Sequence, residues 1–145
     1  ICQLDDSIHR FYVESISTQR EETAIMGFLS YKDYMRQMDD KVVLLLKKGK
    51  ILWSDTLQQN YNPQSIHHTG HNIIVVALDK KGRTRGYNSY HLLRYNNQGK
   101  LLEDYSLDDI KPEWKNLVVV HASENQFVFA GKNIFNSLVI EKMTF

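Results

Sequence analysis

Disulfides, strong charge and long apolar runs are all missing from this chain, and each absence removes a class of function. Cys2 is the only cysteine, so no intrachain disulfide framework exists, and a lone thiol there is a poor candidate nucleophile. Lysine and arginine number 18 against 17 aspartates and glutamates, so nothing draws the chain as a whole to nucleic acid or an anionic membrane, and neither partner is expected. No apolar run approaches the ~18 residues of a membrane span. The opening ICQLDD has no basic or apolar leader region, and the bulky Ile1 argues against lipid attachment at Cys2. No Asn-x-Ser/Thr acceptor, Gly-x-Ser-x-Gly elbow, phosphate-binding glycine loop or His-Glu-x-x-His pair occurs. The adjacent aspartates at 5–6, 39–40 and 108–109 read as turn caps, and no residue is assigned a catalytic role. Nothing in the sequence specifies a compartment.

What is present is a succession of short apolar, β-branched runs. They fall at 10–16, 23–29, 41–46, 50–57, 65–69, 72–78, 90–95, 100–107, 116–122, 126–131 and 137–145, bounded by Gly, Asn, Asp, Ser and Lys. Several, such as KVVLLL and NIIVVAL, show little alternation, as expected of strands covered on both faces. One segment keeps helical spacing: in SYKDYMRQMDD, Tyr31, Tyr34, Met35 and Met38 share a face, with Ser30 and Asp33 as a capping box. The fold class is therefore all-β, in one domain or part of one.

The runs repeat. GKILWSDTL at 49–57 aligns with GKLLEDYSL at 99–107, HTGHNIIVVA at 68–77 with HASENQFVFA at 121–130, and NSYHLLRY at 88–95 with NSLVIEKM at 136–143. The implied unit is four antiparallel strands in 45–50 residues, giving units at about 8–57, 64–107 and 114–145, the last with three strands. This pattern resembles β-propeller repeats of the quinoprotein (PQQ-like) type, with GKILW closest and GKLLE a degraded copy lacking the tryptophan. The resemblance implies about three blades of an incomplete propeller, since closed propellers take about four to eight. The chain then belongs to a longer protein or pairs with another copy. A small up-and-down barrel or a sandwich is the alternative at this length.

Blade geometry sorts the connections. TGHN, SENQ, KKGK and NNQG are tight turns on one face, whereas segments 30–41, 58–64, 79–89, 108–115 and 131–136 are long and gather on the other. The long set carries Tyr31, Arg36, Tyr61, Arg83, Arg85, Tyr87 and Trp114, residue types enriched at binding hot spots. These seven are the candidate binding residues. The expected function is a non-enzymatic interaction module for a protein or peptide. Part of a propeller enzyme acting on glycans or using a quinone is one alternative, and a barrel binding an apolar ligand is another. No cofactor and no metal are expected. In IHHTGH, His67 and His68 point to opposite faces of a strand and cannot share one ion.

Overall fold

The computed structural model describes residues 8–31, 40–79, 89–107, 116–123, 126–132 and 137–144. Each expected apolar run is a strand. β1 (Ile8–Gln19), β2 (Glu22–Tyr31), β3 (Asp40–Lys47) and β4 (Lys50–Thr56) form the first sheet; β5 (Tyr61–His68), β6 (Asn72–Asp79), β7 (Ser89–Asn96) and β8 (Leu101–Ser106) the second; β9 (Asn116–Ala122), β10 (Gln126–Lys132) and β11 (Leu138–Thr144) the third. Within each sheet the strands are antiparallel and follow chain order. The described strands form no closed ladder, so the small-barrel alternative does not hold. The arrangement is an open, propeller-like or sandwich-like set of three sheets.

Side-chain alternation explains why the middle sheet reads as continuously apolar. In β6, Ile73, Val75 and Ala77 pack toward the first sheet with Leu93 and Tyr95, against Ala24, Met26, Val43 and Leu45. Ile74 and Val76 turn the other way with Leu92, onto Leu117, Phe127 and Phe129 of the third sheet. Burying both faces of one strand leaves no position for polar alternation.

The first two sheets stack in the same sense. The backbone N–H groups of Ile66 and His68 donate to Ser15 Oγ at 3.3 Å and Ser17 Oγ at 2.8 Å, so β1 and β5 run side by side in parallel. The tight turns after β1, β3, β5 and β7 consequently lie at one rim. The connections after β2, β4 and β6 leave from the opposite rim; those after β2 and β6 are the long ones, while the one after β4 spans only 57–60. The third sheet follows suit where Phe127, just past its own tight connection, meets His67 edge-on at 5.8 Å near the turn rim of the second sheet.

Two boundaries differ from expectation. The connection expected at 58–64 is shorter, because β5 begins at Tyr61. Pro63 concealed this, yet β5 is a sheet edge and Pro63 sits at a register shift, where a missing N–H is tolerated. The buried Lys41 holds this connection, donating from Nζ to the carbonyl oxygens of Gln59, at 3.1 Å, and of Tyr61. The helix expected over 30–40 lies outside the described residues apart from its ends: Ser30 and Tyr31 belong to β2 and Asp40 begins β3.

Candidate functional site

Two polar places stand out at the junction of the first and second sheets. The first lies toward the long-connection rim, on the face of the second sheet turned to the first. Alternation along YHLLRY puts His91 on the same face as Leu93 and Tyr95, and Asp104 is the β8 partner of Leu93. Tyr61 completes the group from the start of β5. Its hydroxyl donates to Asp104 Oδ2 at 2.7 Å, while His91 Nδ1 lies 2.7 Å from Asp104 Oδ1 and 3.2 Å from the Tyr61 oxygen.

These contacts fix a tautomer. The carboxylate can only accept, and the Tyr61 proton is already given to Asp104, so both neighbours of His91 Nδ1 are acceptors and the imidazole proton must sit on Nδ1. When the ring is neutral, His91 Nε2 is then the nitrogen that can accept from another donor. Burial holds the Tyr61 hydroxyl well above the ordinary tyrosine range, helped by its hydrogen bond to Asp104 and by the charges of Asp104 and Asp79. Tyr95 is displaced the same way, by burial first and then by Asp55. The cluster can brace the junction and take a hydrogen bond from a ligand hydroxyl or amine. Among the described residues no group of three or more His, Cys, Asp and Glu side chains is placed to hold a metal ion.

The second place is a cavity of about 370 Å³ at the turn rim, lined among others by Arg20, Glu22, Lys47, His68, His71 and Asn97. His68 forms its floor, with a side chain only 1% exposed. The Gly70 N–H donates to His68 Nδ1 at 3.0 Å, so Nε2 carries the proton and faces Glu22 Oε2 at 3.3 Å. Lys47 donates to the other Glu22 oxygen at 3.0 Å, and this bond, with help from His68, holds the Glu22 carboxyl below its ordinary range. Beside the cavity, Asn97 Nδ2 donates to the Gly70 carbonyl at 2.9 Å, and Trp53 Nε1 donates across the sheets to the Asn97 carbonyl at 3.1 Å.

Of the candidate binding residues, Tyr61 is 6% exposed and engaged with Asp104 and His91. Tyr31 is the last residue of β2. Arg36, Arg83, Arg85, Tyr87 and Trp114 lie outside the described residues. His67 and His68 do face opposite ways, one to Phe127 of the third sheet and the other to Glu22 of the first. Sequence reasoning passed over His91 and Asp104 because each sits in an ordinary strand. The available signal was period two, which puts His91 on the side of Tyr95.

No family model matches the chain, and no curated protein does. Among solved structures, the Pyrococcus horikoshii acylaminoacyl peptidase is similar over 99% of this chain and 32% of that one, at a TM-score of 0.46 and 7% identity. The chain thus spans less than a third of that protein's length. A likeness at this level says nothing of what the chain does.

Proposed function

We propose that this chain is a non-enzymatic interaction module, built of propeller-like sheets with quinoprotein-type repeats, that holds a protein or peptide partner on the rim where its long connections emerge. The observation that carries the reading is the same-sense stacking of β1 on β5, which sorts tight turns to one rim and long connections to the other. A rigid scaffold with its long connections on one side is the usual setting for a binding surface. Tyr31, Arg36, Arg83, Arg85, Tyr87 and Trp114 supply the contacts on this reading. Buried Tyr61 acts beneath them, fixing the end of the connection that Lys41 also grips. The repeat assignment draws support from Trp53 of GKILW, which packs against the glycine of the following GKLLE unit.

A displayed random-peptide library selected on the whole chain tests this. Selected peptides should lose at least tenfold in affinity for an Arg83→Ala, Tyr87→Ala, Trp114→Ala triple variant of unchanged melting temperature. They should keep affinity for Arg20→Ala and Lys48→Ala at the turn rim. Peptides that bind the triple variant as well as the parent chain would sink the reading.

A further inference from the structure

The cavity at the turn rim pairs off its negative charges and leaves a positive one over. Glu22 accepts from Lys47 at one oxygen and faces the His68 N–H with the other, while Glu21 lies 3.4 Å from Lys48. His68, the floor, is fully used, with Nδ1 taking the Gly70 N–H and Nε2 turned to Glu22. Lys47 gives one of its three N–H groups to Glu22 and is 46% exposed, so two remain. Arg20 lines the same space, and no carboxylate among the described residues is paired with it. The backbone at Arg20 sharpens the point. Residues 20–21 close the hairpin between Gln19 and Glu22, and Arg20 stands at φ 56°, a left-handed conformation that glycine takes more cheaply. Lys48 shares that conformation at φ 50°, but its ammonium meets Glu21. The Arg20 guanidinium is the charge for which the cavity has no internal use.

We infer that this cavity binds a small oxyanion, a carboxylate or phosphate group on a compact molecule, with Arg20 as its anchor and Lys47 as the second cationic donor. A guanidinium presents a planar fork of N–H groups that meets two oxygens of such a group at once. Lys47 is held still for the task. The Gly70 N–H orients His68, His68 and Lys47 share the Glu22 carboxylate, and a donor already fixed in place loses less freedom on binding. Asn97 closes the side contributed by the second sheet, with one amide N–H given to the Gly70 carbonyl and the other remaining. The volume of about 370 Å³ falls at the lower end of the roughly 300–1,000 Å³ that ligand pockets span, which suits a small molecule and not a folded partner. This site lies at the turn rim, opposite the rim proposed for a peptide, and does not rest on that reading.

Titrating the isotope-labelled whole chain with inorganic phosphate and, separately, with succinate tests this, at an ionic strength held constant with sodium chloride. At least one probe should saturate at millimolar concentration or below and shift the amide signals of Arg20, Glu22, Lys47, His68 and Asn97. The tighter of the two tells phosphate from carboxylate. Arg20→Gly should weaken that probe at least tenfold while the melting temperature stays level or rises, because glycine relieves the backbone. Arg20→Gln serves if the glycine variant fails to fold. Lys142→Ala, an equal loss of charge on the third sheet, should bind as the parent chain does. The inference is overturned if neither probe shifts these signals, or if the Arg20 variant binds as tightly as the parent chain. An equal loss in the Lys142 variant would overturn it too, since that is diffuse attraction and not a site.

Discussion

Trp53 of β4 packs against Gly99, forty-six residues away in the β7–β8 turn, so closely that a Cβ there would lie 2.8 Å from the indole ring. Gly99 has φ +81° and Gly49, its counterpart in GKILW, has φ +77°, yet a Cβ at Gly49 would meet nothing within 4 Å. The two glycines thus share a backbone requirement and differ in contact. Gly49→Ala should cost the left-handed penalty alone, about 1–2 kcal/mol. Gly99→Ala should cost that and a further ~1–3 kcal/mol for forcing Trp53 off its seat. Urea unfolding of the two variants measures the difference. Equal costs would mean that the first two sheets do not depend on this contact.

The hydroxyl of Tyr61 is the bond that ties the start of β5 to β8. Tyr61→Phe should destabilise by about 1–3 kcal/mol, since it takes a donor from a partly buried carboxylate. Combined with Asp104→Ala it should cost clearly less than the sum of the two single changes. Nitrogen chemical shifts of His91 provide a readout that simple destabilisation does not move. The parent chain should show the proton on Nδ1, and Asp104→Ala should release it to Nε2. A ring that already carries its proton on Nε2 in the parent chain would refute the assigned geometry.

Much of the architecture was legible because apolar runs and turn residues report strand count and order directly. The tight turns KKGK and NNQG and the apolar β3 and β6 are local signals. Pro63 misled by a few residues, since sequence does not reveal that its strand is a sheet edge. The polar clusters were not legible for a different reason. His91 meets Tyr61 thirty positions away, and Glu22 meets His68 forty-six away, so their partners are set by how sheets stack and not by any local spacing. Tyr61 was singled out as a binding residue of a long connection, and the structure finds its ring inside the first-to-second sheet junction.

Alkaline pH should unfold the chain in a way that two residues explain. Tyr61 and Tyr95 titrate above their ordinary value of 10.0 when folded, chiefly because burial disfavours the phenolate. Above about pH 10 the unfolded chain loses these protons and the folded chain keeps them, so stability falls as pH rises. The phenolate absorbance of these two rings should therefore appear together with loss of the β circular dichroism. A Tyr61→Phe, Tyr95→Phe variant, though less stable at neutral pH, should show a flatter decline above pH 10. Phenolate absorbance from all tyrosines before any unfolding would contradict the burial.

His67 gives the acid side of the same argument at the junction of the second and third sheets. Its ring meets Phe127 edge-on, its Nε2 lies 3.0 Å from Ser65 Oγ, and burial holds its titration below the ordinary 6.5. The folded chain thus favours neutral His67, while the unfolded chain binds a proton as pH drops below about 6.5. The stability associated with His67 is fully present above 6.5 and is lost progressively as pH falls from there toward the depressed folded value. His67→Phe removes the titration and keeps an aromatic partner for Phe127. Its melting temperature should fall less than the parent's between pH 6.5 and 5, and parallel curves would show that His67 is as free to protonate in the folded chain as in the unfolded one.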